Sequence, residues 1–186
     1  MATSTKMKER LEEVLEPPTG VNVTMKDSVL IVSGPNGKVQ RDFSKIPISI
    51  KVESGKVKLQ TISSRKFDRS IISTCRSHIK NMFKGVTEGF TYRLKIVFAH
   101  FPITVKVQGQ EVLLENFYGE RSPRRARIVG EQTKVKVEGD DIVVSGPSLE
   151  GVAQTAANIE QATKVRGKDQ RVFLDGVYIY QRKVNE

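Results

Sequence analysis

The sequence predicts an α+β protein built from two tandem copies of a small module, each an antiparallel sheet covered by one helix. Many short segments alternate apolar and polar residues between turns rich in Gly, Pro, Asn and Asp, which is typical of strands. Two stretches instead repeat apolar residues every three or four positions, as amphipathic helices do. A hairpin followed by a helix occupies residues 48–85, and the same arrangement recurs at residues 133–164.

The first module, predicted for residues 1–86, begins with a short N-terminal helix. Its apolar residues lie at helical spacing: Met7, Leu11, Val14 and Leu15. The prolines at positions 17 and 18 would end this helix. Five strands are then expected, at residues 21–25, 29–32, 38–43, 48–52 and 57–61.

A long amphipathic helix closes the first module. We expect its apolar stripe to be buried: Phe67, Ile71, Cys75, Ile79, Met82 and Phe83. Ser64 is the candidate N-cap and Gly85 the candidate stop. The opposite face carries five cations, Arg65, Arg69, Arg76, Lys80 and Lys84. Any exposed helix face is polar, so this face is weak evidence for a binding site.

The second module is predicted for residues 87–186, with the boundary near Val86. Strands are expected at residues 90–99, 103–107, 112–117, 135–137 and 142–144, followed by a helix over residues 148–164. The buried side of that helix should be Leu149, Val152, Ala156 and Ile159. An apolar hairpin turning at Asp175-Gly176 should end the fold. Ser-Gly-Pro occurs at both Ser33 and Ser145, but a strand follows the first copy and a helix the second, so these copies do not set the repeat register.

The charge balance points to an acidic partner. The chain has 186 residues, a net charge of +10 and a pI near 9.8. A folded protein this basic most often binds nucleic acid, and a membrane surface is the weaker option because no apolar run approaches the ~20 residues of a membrane span. The N-terminal stretch has no apolar core typical of a secretion signal. With one cysteine and two histidines, neither a disulfide nor a Cys/His metal site is expected, which fits a reducing compartment.

Two segments of the second module concentrate the cations. From Glu88 onward, 15 Lys and Arg face 13 Asp and Glu, yet ten of those cations lie in or directly beside the two segments. Such segregation is hard to attribute to solvation alone, and Arg and Lys suit phosphate contacts. The eight candidate RNA-binding residues are Arg121, Arg124, Arg125, Arg127, Lys164, Arg166, Lys168 and Arg171. Lys164 and Arg166 could also serve the helix C-terminus, where cations are favourable, which makes Lys168 and Arg171 the strongest candidates for phosphate contact.

No catalytic constellation is apparent in the sequence. Cys75 lies within an apolar stripe, where a buried thiol is far more common than a nucleophile. His78 lies beside the same stripe, and His100 lies at a strand break. Asp169 resembles a cation partner and Asp175 a turn residue, so no nucleophile, base and orienting group are assembled. We therefore expect no enzyme activity and no cofactor.

Four segments carry a family resemblance that spans nearly the whole chain. They are SGPNG at residues 33–37, NMFKGVTEGF at 81–90, VSGPSLEGVAQTAANIEQAT at 144–163 and KDQRVFLDGVYI at 168–179. Through them the chain resembles the universal large-subunit ribosomal protein six family, called protein nine in eukaryotes. The bacterial branch has a Tyr-Lys-Gly-Lys-Gly type signature where this chain has Arg166-Gly167-Lys168-Asp169, so the archaeal and eukaryotic branch is the better match.

The resemblance implies a duplicated α+β module bound to large-subunit rRNA, with the second domain near the sarcin–ricin region and the stalk base, where translation factors dock. It implies neighbouring ribosomal proteins as partners, no catalytic residue and a cytoplasmic, ribosome-bound location. From charge and resemblance together, we expect phosphate clamping with recognition of RNA shape and little base stacking, because few aromatics should be exposed. An RNA-acting enzyme and a protein–protein adaptor remain the alternatives.

Overall fold

The computed structural model describes residues 11–53, 55–61, 65–169 and 171–184. The chain divides after Thr87 into two compact units, residues 1–87 and 88–186. Each unit contains one long helix, two antiparallel sheets and its own apolar core. The predicted α+β class and the tandem arrangement of two modules are confirmed.

The first unit places six strands before its helix. The strands are β1 (Glu12–Leu15), β2 (Asn22–Lys26), β3 (Val29–Gly34), β4 (Gly37–Asp42), β5 (Ile48–Glu53) and β6 (Lys56–Thr61). The helix α1 covers Lys66–Thr87. One sheet has the order β2-β3-β4 and the other β1-β6-β5. Alternation buries one face of each sheet, as with Leu30 and Val32 of β3, and these faces share a core with α1.

The second unit repeats this order and adds one strand. Its strands before the helix are β7 (Phe90–Val97), β8 (Thr104–Gln108), β9 (Glu111–Glu115), β10 (Arg124–Arg127), β11 (Lys134–Glu138) and β12 (Asp141–Gly146). The helix α2 covers Leu149–Ala162, and β13 covers Gly176–Val184. The sheets are β10-β9-β8 and β11-β12-β7-β13. The strand order β5-β6-β1 of the first unit corresponds to β11-β12-β7 of the second. This correspondence supports the alignment of the two repeats that the hairpin-plus-helix segments predicted.

Helix α2 begins and packs as the sequence indicates. The Ser148 hydroxyl accepts a hydrogen bond from the Gly151 N–H at 3.3 Å and so caps the first turn. Val152, Ala156 and Ile159 are fully buried, while Leu149 is half-buried at the edge of the core. This face packs against strands of both sheets, β10 as well as β7, β12 and β13. The end of α2 is thereby held close to the arginine-rich strand.

The predicted N-terminal helix is wrong over the part that the structure describes. Residues Glu12–Leu15 form β1, which pairs antiparallel with β6. Two bonds extend this pairing: the Thr61 N–H donates to the Leu11 carbonyl at 3.0 Å, and the Leu11 N–H donates to the Thr61 hydroxyl at 3.3 Å. A partner strand with free backbone groups thus overrode the helical spacing of four apolar residues. Residues 1–10 of that prediction lie outside the described residues.

Helix α1 differs from its prediction at both ends. Gly85 does not stop the helix: it lies buried inside the last turns, which continue to Thr87. Phe67 is largely exposed rather than part of the buried stripe, because it lies in the first turn. The rest of the stripe packs as expected, with Ile71 half-buried. The candidate cap Ser64 lies outside the described residues.

The predicted C-terminal hairpin is also wrong. Residues 172–174 form no strand, and β13 pairs instead with the open edge of β7, with Val177 opposite Ile96. Asp175 is no turn residue: the residue is only 1% exposed, and its side chain accepts hydrogen bonds from a distant loop. The eight-residue edge of β7 offers more pairing than the three residues before Asp175 could.

Candidate nucleic-acid interface

Three arginines of the first basic segment lie on β10, an edge strand, and Arg121 lies in the connection before it. β10 pairs antiparallel with β9, with Arg124 opposite Leu114 and Arg127 opposite Glu111. Strand alternation turns Ala126 into the core and leaves Arg125 and Arg127 exposed on the other face. Two of the predicted arginines therefore project together to solvent from a rigid backbone.

Arg124 points the other way and caps helix α2. Its guanidinium donates to the carbonyl oxygens of Ala162 at 2.9 Å and Lys164 at 3.3 Å. Two further bonds, of 2.9 and 2.6 Å, form a fork on the Glu120 carboxylate and hold the pKa of that carboxyl below its usual range. The Phe117 ring lies 4.1 Å below the guanidinium carbon. Arg124 thus performs the helix-end role that we had expected of Lys164 and Arg166.

The second basic segment leaves the end of α2 as a structured loop. Gly167 adopts a φ of +70°, a left-handed conformation in which glycine is favoured. Asp169 then organises the following turn: its carboxylate accepts from the Arg171 N–H at 3.0 Å, and its carbonyl accepts from the Val172 and Phe173 N–H groups. Asp169 also forms an ion pair with the Arg171 guanidinium at 2.9 Å, which confirms it as a cation partner.

Aromatic rings hold Lys168 in place. Its ammonium lies 4.9 Å from the Tyr118 ring centroid and 4.7 Å from that of Phe173. Phe173 stacks in turn on His100 at 5.1 Å. The sequence predicted an apolar hairpin directly after these cations, whereas in the structure cation–π contacts to a ring cluster hold Lys168.

Asp175 anchors this cluster from below. Its carboxylate accepts hydrogen bonds from the backbone N–H groups of Ala99 and His100 and contacts the His100 Nδ1, each at 3.1 Å. Burial alone would raise the pKa of Asp175, but the His100 imidazole and the two backbone donors outweigh it and lower the pKa below its ordinary value. Because its partners are distant in sequence, no local pattern could have revealed this anchor.

The two basic segments therefore meet at the C-terminal end of α2. Arg124 joins the first segment to the Lys164 carbonyl, and Lys168 contacts Tyr118 in the loop that precedes the first segment. Arg125 lies 3.6 Å from Glu111 and Arg171 is paired with Asp169, although both stay largely exposed. Among the described residues, four of the predicted cations are exposed and have neither an acidic partner nor a cation–π contact: Arg121, Arg127, Lys164 and Arg166.

The side chains considered for catalysis are buried or engaged by other side chains. Cys75 is fully buried, and that burial raises the pKa of its thiol. The His78 Nε2 lies 3.2 Å from the Arg41 guanidinium, and His100 is engaged by Asp175. Within the described ranges, no group of three His, Cys, Asp or Glu side chains could hold a metal ion. No helix in the described part of the chain is long and apolar enough to cross a membrane.

Comparison with known proteins agrees with this duplicated arrangement. A family model described as "Ribosomal protein L6" matches residues 17–89 and 101–176. A relative from Saccharolobus solfataricus is 48% identical over 177 residues, which is 95% of this chain and 97% of the relative. Relatives from Methanosarcina mazei and Methanobrevibacter smithii are 47% and 46% identical, over 95% and 93% of this chain and 99% and 97% of their own lengths. All three are named "Large ribosomal subunit protein uL6".

Proposed function

This chain belongs to the ribosomal protein L6 family, and from that premise we propose that it binds large-subunit rRNA through the surface where its two basic segments meet. It is a protein of the large ribosomal subunit, not an enzyme. The family resemblance further leads us to propose a position near the sarcin–ricin region and the stalk base, with neighbouring ribosomal proteins as partners. The proposed location is the cytoplasm, bound to ribosomes.

The observation that carries this proposal is the set of cations without acidic partners at the end of α2. Arg121, Arg127, Lys164 and Arg166 project from two segments that Arg124 ties together. A cation already paired with a carboxylate gains little from a phosphate, whereas an unpaired one can replace the counterions of an RNA backbone. Since the nearby acids Glu120 and Asp169 are engaged by Arg124 and Arg171, the surface presents mainly positive charge.

Recognition by shape suits this geometry. Arg127 stands on a strand edge, and the Lys164 backbone is held by hydrogen bonds to Gln161 and Arg124, so the spacing of these two cations is set before RNA arrives. A rigid array of phosphate-binding groups selects an RNA backbone whose phosphates match its spacing, and it carries little base information. Preorganisation also lowers the conformational entropy that binding would otherwise cost.

The salt dependence of binding tests the proposal. If at least four phosphates are neutralised, affinity for a structured large-subunit rRNA fragment should fall by at least about 50-fold between about 50 and 200 mM salt. A variant in which the four unpaired cations are replaced by Gln should flatten the slope of log affinity against log salt by about three. A control of equal net charge replaces four exposed cations of the first unit by Gln: Lys26, Lys51, Lys66 and Lys80.

The control should keep a steeper slope than the second-unit variant. A flat salt response of the unaltered protein would contradict phosphate clamping altogether. Equal loss of slope in both variants would show that binding follows net charge and not this surface. An RNA cleavage or modification product in the same samples would instead favour the enzyme alternative.

A further inference from the structure

Two loops of the second unit present apolar side chains to solvent at one end of the module. Phe98 and Phe101 follow β7 and are 45% and 44% exposed. Val172 and Leu174 lie between α2 and β13 and are 62% and 56% exposed. The expectation that few aromatics would be exposed is therefore wrong for this end of the protein. We call these four residues the apolar tip.

The two loops are fastened to each other. The backbone N–H of Ala99, the residue after Phe98, donates to the carboxylate of Asp175, the residue after Leu174, at 3.1 Å. The His100 N–H donates to the same carboxylate at 3.1 Å. Leu174 thus directly precedes the buried anchor Asp175, and Phe98 directly precedes a residue that is hydrogen-bonded to it. The apolar tip is a joint surface and not two independent mobile loops.

The tip also rests on a layer of rings. The His100 ring, one residue before Phe101, stacks on Phe173 at an interplanar angle of 27°. The Phe101 ring lies beside Gly119, where a Cβ would be 3.7 Å from its atoms. A Cβ there would make ordinary van der Waals contact with the ring, and it is the φ of +73° that favours glycine at this position. The exposed rings are consequently supported from beneath while part of their surface faces solvent.

Positive charge lies beside the tip and bears on what could cover it. Lys168 lies over the Phe173 ring that supports the tip, and Arg121 follows Gly119 by two residues. The acids of these loops are occupied internally, since Asp175 binds His100 and Asp169 binds Arg171. An occupant must therefore supply flat apolar surface and negative charge together. Unpaired nucleotides do so, because each has an aromatic face and a phosphate.

We propose that the apolar tip stacks unpaired bases of RNA, with Phe98 and Phe101 as the stacking platforms and Lys168 and Arg121 on the adjoining phosphates. This rests on the proposed function and adds a single-stranded element to it. Phenylalanine rings offer no hydrogen bonds, so the stacking tolerates any base. The tip would contact RNA bases, whereas the cations at the end of α2 would contact only the RNA backbone.

Fluorescence of a short RNA tests the proposal. The probe is a single-stranded RNA about ten nucleotides long that carries 2-aminopurine, whose emission is quenched on stacking. The full-length protein contains no Trp, so it contributes little background. Binding should quench the probe, and Phe98→Ala and Phe101→Ala should each weaken binding roughly tenfold and relieve the quenching, given what a stacked base contributes.

Phe67→Ala is the matched control. Phe67 is 68% exposed, but it lies on α1 in the first unit. This variant should bind the probe as the unaltered protein does. Both tip phenylalanines have large exposed fractions, so their truncation should leave the circular dichroism spectrum and the salt dependence unchanged.

The outcomes separate this proposal from the one it rests on. If the protein binds large-subunit rRNA with steep salt dependence but binds the probe weakly, without quenching, or equally well after Phe98→Ala and Phe101→Ala, the tip does not stack bases. Loss of a neighbouring ribosomal protein from assembled subunits, with RNA affinity unchanged, would assign the tip to a protein and overturn the proposal. If even the unaltered protein fails to bind large-subunit rRNA, it is the proposed function that fails.

Discussion

The helix of each unit ends against a sheet of the same unit, but a neutral residue holds the end of α1 and a positively charged residue holds the end of α2. In the first unit, the Asn36 N–H donates to the Val86 carbonyl at 2.9 Å and its side-chain amide donates to the Thr87 carbonyl at 2.8 Å. In the second unit, Arg124 donates to the carbonyls that end α2. Asn36 and Arg124 thus have the same role: each donates hydrogen bonds to the carbonyl oxygens at the C-terminal end of its helix.

Both capping residues come from the same place in the repeated strand order. Asn36 directly precedes β4, and Arg124 begins β10, the counterpart of β4. The connection before β10, residues 116–123, is much longer than the tight turn before β4, and it supplies Tyr118 and Arg121. The support for the helix end is thus common to both units, while the longer connection of the second unit makes that place a charged surface.

We expect the largest loss of stability from a substitution that disrupts the contact between Asn36 and the end of α1 in the first unit. A Cβ at Gly34 would lie 2.8 Å from the Val86 carbonyl oxygen and 2.9 Å from the Val86 side chain. Gly34→Ala should therefore push the β3–β4 turn away from α1 and destabilise this unit by about 3 kcal/mol. Amide hydrogen exchange in the last turn of α1 measures the change, and α2 should keep its protection.

Ser33→Ala, one residue earlier, is the control because it adds no atom. It should change the free energy of unfolding by no more than about 0.5 kcal/mol. Comparable exchange rates in the two variants would show that close packing of Gly34 on Val86 is unimportant.

The next effect concerns Asp175, which lies after α2 and so beyond the order of strands and helix that the two units share. Asp175→Asn leaves the shape of the side chain but cannot satisfy both backbone donors and His100 as the carboxylate does. We expect a loss of about 2 kcal/mol, confined to the second unit, because hydrogen bonds to a buried charged group are among the stronger ones. Asp169→Asn, an acid on the exposed loop, should cost no more than about 0.5 kcal/mol in the same exchange measurement.

The effect of Asp175 should also depend on pH in one direction. Because folding lowers the pKa of this carboxyl, its contribution is fully present above the ordinary value of 3.8 and is lost as the pH falls through the lower value of the folded state. The difference between the unaltered protein and Asp175→Asn should be constant at neutral pH and shrink in acid. A difference that grew on acidification would contradict this pKa direction.

A smaller effect tests whether the charged cap needs arginine. Lysine retains the charge of Arg124 but cannot form a fork on Glu120 while donating to two backbone carbonyls. Arg124→Lys should cost about 1 kcal/mol in the second unit and increase exchange at the end of α2. Arg125→Lys, on the exposed face of the same strand, should be nearly neutral. Equal protection of α2 in both variants would remove Arg124 from its capping role.

The sequence predicted those features that depend on local pattern. Alternation gave most strands, the three-to-four-residue period gave both helices, and the change of period marked the repeated unit. Local pattern failed where a distant partner decided the outcome. Leu11, Val14 and Leu15 fit a helical spacing, but β6 offered backbone hydrogen bonds and made a strand.

The candidate site shows the same division. Clustered charge identified both basic segments, but it could not reveal that Arg124 binds carbonyls 38 and 40 residues away. Asp175-Gly176 has the local chemistry of a hairpin turn, whereas the buried carboxylate binds a loop 75 residues earlier. Side-chain roles that join remote segments have no signature in a single sequence, and here they determine which cations remain unpaired.

The difference between the two units is tested most directly by a crosslinking map of this protein in assembled large ribosomal subunits. We predict that protein–RNA crosslinks concentrate at residues 121–127 and 164–171 and at Phe98 and Phe101. The basic face of α1 should give fewer crosslinks than these segments. Crosslinks confined to the first unit, with residues 121–127 and 164–171 free of RNA, would contradict the claim that the second unit carries the RNA-binding surface.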